Sequence, residues 1–389
     1  MSPYNGRMNF TPFQPPIRTL LGPGPSDVHP RVLAALARPT IGHLDPEFVR
    51  MMDEVKHMLQ HVFQTKNAMT LAISAPGSAG METCVANLVE PGDKVVVCQN
   101  GVFGRRLKEN VERVGGVAVT VDDAWGAPVD PERLEDCLKR NPDTKLVAFV
   151  HAETSTGVLS DARSLTAIAH RYGAMVIMDC VTSLAGVPVA IDDWQIDAAY
   201  SGTQKCLSCP PGLSPVTFSD RAVQKIKART TRVTSWFLDM TLLMGYWGDG
   251  KRVYHHTAPV NALYGLHEAL GLVVEEGLEQ SWARHRRNHD LLRGALETLG
   301  MQFYVKPQWR LPQLNAVMVP EGVSEARIRQ RLLDDYGLEI GAGLGDLAGK
   351  IFRIGLMGYG SNAKNIAYCI SALSEILVSE RAAQKKTAI

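Results

Sequence analysis

Residues 175–205 read MVIMDCVTSLAGVPVAIDDWQIDAAYSGTQK. Two short apolar runs, Met175–Met178 and Ala198–Tyr200, each lead into polar groups. Asp179 closes the first, and Ser201-Gly-Thr-Gln-Lys205 follows the second. Apolar runs without polar alternation are what strands buried on both faces look like. Further runs of this kind lie upstream at Val95–Cys98, Val117–Val121 and Leu146–Val150. Amphipathic stretches with helical spacing separate several of them, at Phe103–Val114, Pro131–Lys139 and Ala162–Tyr172. Strands alternating with helices predict βαβ units, hence an α/β fold with a mostly parallel sheet and right-handed crossovers. Ligands of such sheets bind beyond the C-terminal strand ends, where Asp179 and Lys205 fall.

Outward from that stretch, residues 1–20 read as a Pro-rich arm and 21–280 as one large domain. After Pro259 a helical pattern runs through Leu263, Leu266, Leu270 and Val274 towards Trp282. Residues 281–389 read as a smaller C-terminal α+β domain. Its expected strands are Gln302–Val305, Asn315–Val319 and Ile351–Ile354, and its expected helices Ser324–Tyr336 and Asn365–Leu377. The chain has 389 residues with 41 basic and 40 acidic side chains, a net charge of +1, and 45% hydrophobic residues. That balance gives no electrostatic footprint for nucleic acid or a membrane surface. No apolar run reaches the roughly 18 residues of a membrane span. The N-terminus has no charged start followed by an apolar block, and the final Thr-Ala-Ile is no peroxisomal address. Seven cysteines sit mostly in apolar segments and read as reduced thiols of a cytoplasmic protein.

Four features carry candidate chemistry. Lys205 follows a strand end, and lysine can form a Schiff base with a carbonyl cofactor; taken by itself the peptide favours a solvated loop lysine. Asp179, twenty-six residues earlier, ends a buried strand, where a carboxylate is costly without a cationic partner. A pyridinium nitrogen is such a partner, and pyridoxal phosphate needs an acid there to act as an electron sink. Taken alone, Asp179 could be a helix cap or an ion-pair member. Ser74-Ala-Pro-Gly77-Ser78 lies between apolar Leu71–Ile73 and helical Glu82–Leu88. A Gly/Ser turn opening a helix offers free N–H groups to a phosphate, or is merely a capped turn. Arg353, charged between apolar neighbours, has the planar fork that grips a carboxylate, or forms a structural ion pair. Cys206-Leu-Ser-Cys209 and His255-His256 do not have the context of a redox or metal motif, so no metal is expected.

Taken in order, these stretches resemble class V aminotransferases, the alanine–glyoxylate (serine–pyruvate) branch of the fold-type I pyridoxal-phosphate enzymes. The resemblance rests on LLGPGPS (20–26), FQTKN (63–67), LVEPGD (88–93), HAETSTGVL (151–159), MDCVTSLAG (178–186), YSGTQKCLSCPPG (200–212), YHHTAPV (254–260), GLEQSWARHR (277–286) and GKIFRIGLMG (349–358). It implies a large domain with a mostly parallel seven-stranded sheet and a smaller C-terminal domain. It implies a pyridoxal 5'-phosphate enzyme that moves an amino group from a small amino acid, alanine or serine, to glyoxylate, giving glycine.

By the same resemblance Lys205 holds the cofactor and moves the proton, Asp179 pairs with the ring nitrogen, and Val181 and Phe103 cover the two ring faces. Thr154 bonds the phenolic oxygen, and Gly77, Ser78 and Gln204 hold the phosphate. Tyr254 and Thr257 reach the phosphate of a second subunit, which implies a homodimer with shared sites. Arg353 binds the substrate carboxylate, and the backbone near Gly24 and Gly42 lines the substrate pocket. Two positions depart from the family pattern. Pro76 stands where a Ser or Thr hydroxyl is usual, and Phe103 where Trp is usual. Ureidoglycine–glyoxylate relatives carry Gln and Asn at the positions of His43 and Tyr254. Cysteine desulfurases need a Cys before the substrate arginine, and 341–352 contains none. A non-catalytic thiol or redox protein resting on Cys206 and Cys209 is the alternative from another class.

Overall fold

The structure, a computed structural model, describes residues 10–248, 250 and 252–387. Residues 1–9 of the expected arm and 388–389 of the expected small domain lie outside the described residues. A seven-stranded sheet forms the centre of the larger part. Its strands are β1 (Met69–Ile73), β2 (Lys94–Gln99), β3 (Val117–Asp122), β4 (Leu146–Val150), β5 (Met175–Asp179), β6 (Ala198–Tyr200) and β7 (Ser214–Phe218), in the order β1-β7-β6-β5-β4-β2-β3. All neighbours pair parallel except β7, which runs antiparallel to both β1 and β6. Strands β4 and β5 are buried along their whole length, as their uninterrupted apolar sequences require.

Sequence reasoning had missed β7, because Ser-Pro-Val-Thr-Phe mixes polar residues with a proline that a central strand disfavours. The register explains the tolerance. Only Val216–Phe218 pair with β6, so Pro215 lies past the end of that strand, and its carbonyl accepts from the Ser201 N–H at 2.8 Å.

The helices α1 (Gly77–Leu88), α2 (Val102–Arg113), α3 (Pro131–Arg140) and α4 (Ala162–Arg171) cross between strands. Asp130 caps α3 and Asp161 caps α4 through their side chains. The N-terminal positions of α1 and α2 are Pro76 and Gly101, and neither has a capping side chain of its own.

The single helix expected after Pro259 is two, α5 (Val260–Glu276) and α6 (Leu278–Thr298). Gly277, at φ +84°, breaks the run between them. Beyond α6, β8 (Leu314–Met318), β9 (Gly341–Ala342) and β10 (Ile351–Gly355) form an antiparallel sheet in the order β8-β10-β9. It packs with α7 (Glu325–Tyr336), capped by Ser324, and α8 (Ala363–Thr387). The strand expected over Gln302–Val305 is reduced to one bridge, Phe303 to Val317, because Pro307 starts a tight helical turn immediately after it.

Two main hydrophobic cores result. One surrounds the large sheet, and the other joins Leu292, Phe352, Ile354, Leu373 and their neighbours. Leu21, near the N-terminus, belongs to the second, because Thr19–Leu20 pairs parallel with Leu338–Glu339. The N-terminal segment thus crosses from the small sheet to the Lys205 turn.

All seven cysteines are free and buried. Burial pushes the Cys206 and Cys209 thiols up to about 12, the opposite of what a redox-active thiolate needs. A thiol reagent should therefore modify none of the seven in the native protein and all of them after unfolding in denaturant. Rapid native modification of Cys206 or Cys209 would contradict this arrangement.

Candidate active site

Beyond β6 the chain turns through Ser201–Gln204 and buries Lys205. Its Nζ donates to the Pro23 carbonyl. Gly24 sits at φ +106°, and a Cβ there would lie 2.7 Å from Lys205 Nζ and 2.8 Å from its Cδ, so only glycine leaves the lysine its place. Ser26 holds the same turn from the other side, its Oγ donating to the Lys205 carbonyl at 2.8 Å and its N–H to the Gln204 carbonyl at 3.0 Å. Burial, helped by the nearby Arg353 charge, pulls the Lys205 ammonium down to about 8. A useful fraction of neutral amine therefore exists close to neutral pH.

Asp179 ends β5, and β6 runs beside it. Its Oδ1 accepts from the Val181 N–H at 2.9 Å and its Oδ2 from the Tyr200 hydroxyl at 2.8 Å. These two donors fix the carboxylate plane but do not neutralise it. With 2% of its surface exposed and no ion pair among the described residues, Asp179 is pushed by burial up to about 7. Tyr200 was not singled out from sequence; a tyrosine one strand over, at the register position of Asp179, is the signal that finds it.

Arg353 lies in the middle of β10 and is 6% exposed. Its Nε donates to the Ala342 carbonyl at 2.6 Å and its Nη1 to the Thr154 carbonyl at 3.2 Å. No carboxylate pairs with it among the described residues, and burial lowers it to about 10. Thr154 is itself buried, its hydroxyl 2.5 Å from that of Thr182. The preceding residue, Glu153, also escaped the sequence reading. It is fully buried and accepts from the N–H groups of Phe103, Gly104 and Ser155 and from the Ser155 hydroxyl. The backbone of Phe103, half-buried at the start of α2, is thereby tied to Glu153, the residue before Thr154.

The start of α1 faces the Lys205 turn: a Cβ on Gly77 would lie 3.4 Å from the Ser201 carbonyl oxygen and 3.6 Å from a Val181 methyl. The free N–H groups of an uncapped helix start favour an anion. Pro76 lends neither hydroxyl nor N–H there. Gln204 has a buried carboxamide oxygen with no partner, and Ser78 is exposed in the first turn. Ser74, just before the turn, is held by His256, Nε2 to Oγ 2.7 Å.

Lys205, Gly24, Asp179, Val181, Gln204, Gly77, Thr154, Phe103 and Arg353 are thus linked through short contacts at one edge of the sheet. Tyr254, Thr257 and Gly42 are exposed, and no hydrogen bond joins them to Lys205 among the described residues. His43 and Tyr254, ring centroids 5.4 Å apart, form an aromatic group with Tyr246. Among the described residues no group of acidic, His and Cys side chains could hold a metal ion, and no helix is long and apolar enough to cross a membrane.

A family model described as aminotransferase class-V matches residues 27–354, and the chain belongs to that family. An alanine–glyoxylate aminotransferase of Oryctolagus cuniculus is 43% identical over 369 residues, covering 94% of each chain. An (S)-ureidoglycine–glyoxylate transaminase of Bacillus subtilis is 36% identical, covering 94% of this chain and 92% of that one. The crystal structure of an alanine–glyoxylate aminotransferase from Nostoc sp. superposes with a TM-score of 0.94 at 44% identity, over 96% of this chain and 98% of that one. The chain is an aminotransferase of fold-type I, and enzymes of this family depend on pyridoxal phosphate.

The residues present fit that group. A buried carboxylate without a cation suits a ring nitrogen, a buried lysine with a lowered pKa suits an aldehyde, and an uncapped helix start beside an unpartnered carboxamide suits a phosphate. The buried carboxylate has a measurable consequence in the cofactor-free protein. Asp179 ionises near 4 when unfolded but keeps its proton up to about 7 when folded. The folded state therefore binds the extra proton between those values and loses stability as pH rises through them. Asp179→Asn should remove this slope and raise cofactor-free stability at pH 8 by a few kcal/mol, on the order of the shift itself, measured by denaturant unfolding. Identical pH–stability curves for both proteins would contradict the assignment.

Proposed function

We propose that the chain transfers an amino group from alanine to glyoxylate, giving glycine and a 2-oxo acid, with serine a second donor of similar size. The observation that carries this reading is that Lys205, Asp179 and Arg353 are buried at one sheet edge without an ion-pair partner among the described residues. Buried charges persist where a ligand completes them. The likeness to proteins named alanine–glyoxylate aminotransferase supports the choice of substrates.

In this reading Arg353 receives the α-carboxylate of the amino acid and then that of the 2-oxo acid, its guanidinium oriented by the Ala342 and Thr154 carbonyls. Pyridoxal phosphate, when bound, supplies the electron sink for the charge left at the substrate's α-carbon. Val181 and Phe103 would cover its ring, Thr154 its phenolic oxygen, and Gly77, Ser78 and Gln204 its phosphate. Asp179, oriented by Tyr200 and the Val181 N–H, would hold a proton on the ring nitrogen. Lys205 Nζ takes the α-proton and returns it one step later, which requires the neutral amine that burial makes available. Gly24 keeps the space around that amine open.

The exposed side chains of Tyr254 and Thr257 support a homodimer in which they complete the partner's phosphate site. So do Trp236, Phe10, Phe13 and Ile17, apolar groups left largely uncovered in a single chain. The seven free, buried thiols support a reducing, cytoplasmic setting. We read residues 10–20 as the described part of an arm, 21–280 as the cofactor domain and 281–387 as the small domain. The pairing of His43 with Tyr254 favours alanine over ureidoglycine as donor.

Lys205→Ala should abolish the visible absorption that depends on a covalent bond between Lys205 Nζ and the cofactor, and lower turnover at least about a hundredfold. A variant that keeps both would overturn this reading. With glyoxylate as fixed acceptor, alanine and serine should show higher kcat/KM than (S)-ureidoglycine. The reverse order would move the chain to the ureidoglycine branch.

A further inference from the structure

Two helix starts, those of α1 and α2, lie beside the candidate site and lack a capping side chain of their own. They differ in what fills them. At α2 the first three N–H groups are all consumed: Val102 donates to Ser155 Oγ at 3.0 Å, Phe103 to Glu153 Oε1 at 3.4 Å and Gly104 to Glu153 Oε2 at 3.4 Å. The Ser155 N–H and hydroxyl also donate to Oε1, at 3.1 and 2.5 Å. Both carboxylate oxygens therefore face donors only, as an anion at a helix start does. Gly101 makes the room. A Cβ there would stand 2.4 Å from Glu153 Cδ and Cγ and 2.4 Å from Ser155 Oγ. At α1, Pro76 and Gly77 bring no such internal anion.

We infer that Glu153 is a positioning residue: a built-in anion that closes the start of α2 to ligands and locks Phe103 and Arg353 in place across the site. The link to Arg353 runs through the next residue, since the Thr154 carbonyl accepts from Arg353 Nη1 at 3.2 Å. The link to Phe103 is direct. Any shift of the carboxylate moves both walls, and the phosphate is left one open helix start, that of α1. The burial of Glu153 is complete and it has no cationic partner among the described residues, so neither solvent nor an ion pair accounts for its place. The inference rests on the roles of Phe103, Thr154 and Arg353 proposed above.

Glu153→Gln is the test, because it keeps the shape but turns an amide donor towards N–H groups. Leaving buried donors without an acceptor should weaken binding roughly ten- to hundredfold. The first readout is the affinity of the cofactor-free variant for pyridoxal phosphate, followed by absorbance. The second is the pair of KM values for alanine and glyoxylate, which should rise by a larger factor than kcat falls. Glu153→Ala gives an independent check: formate, filling the vacated place at α2, should restore cofactor affinity. Wild-type affinity and KM in Glu153→Gln, with only the unfolding temperature lowered, would reduce Glu153 to a structural group and overturn the inference. So would a folded Glu153→Ala whose affinity does not respond to formate. A wild-type chain that takes up no cofactor would instead overturn the reading on which the inference rests.

Discussion

Burying an ionised side chain without a counter-ion is among the most expensive arrangements a protein can hold. This fold gathers four buried ionisable side chains around one sheet edge. Asp179, Glu153, Lys205 and Arg353 are each at most 8% exposed, and none forms an ion pair among the described residues. Opposite charges soften the cost, Lys205 acting on Asp179 and Glu153 on Arg353, while the like charges of Arg353 on Lys205 and Glu153 on Asp179 add to it. Backbone and hydroxyl donors orient each group without discharging it. In the function proposed, a zwitterionic substrate and a phosphorylated, ring-nitrogen cofactor would complete the site.

The scaffold follows from that constraint. Asp179 and Lys205 follow adjacent parallel strands, so their side chains reach the same edge only if β5 and β6 are neighbours. The register that pairs Asp179 with Tyr200 makes them so. Arg353 comes from a different sheet and reaches the site through the Thr154 carbonyl. The segment from Thr19 to Ser26 spans both parts, pairing with Leu338–Glu339 at one end and closing on Lys205 at the other. Movement between the two cores would therefore be felt at the lysine.

Much of this was legible in the residues. The apolar runs of β2 to β6 betray a parallel sheet, and the strand-end positions of Asp179 and Lys205 betray its ligand edge. Arg353 stands out as a charge between apolar neighbours, and motif resemblance adds Thr154 and Gln204. What stayed hidden has physical reasons. Strand β7 mixes polar residues with Pro215, which is tolerated because the ladder with β6 ends at Val216 and Tyr200. Gly277 is one glycine in an otherwise helical pattern, and its positive φ is invisible in the sequence. Glu153 meets the start of α2 some fifty residues earlier in the chain, and Tyr200 meets Asp179 across a strand register, neither of which a local sequence pattern announces. Tyr254, Thr257 and Gly42 are exposed on the single chain, so nothing within it brings them to the edge.

The central claim is that Asp179 is a buried acid waiting for a cation. Infrared difference spectroscopy at pH 6, before and after adding pyridoxal phosphate, tests it most directly. The account predicts a protonated-carboxyl band in the cofactor-free protein, absent from Asp179→Asn, that is lost when the cofactor binds and the carboxylate ionises against the ring nitrogen. A band that persists after binding, or that survives in Asp179→Asn, would contradict it.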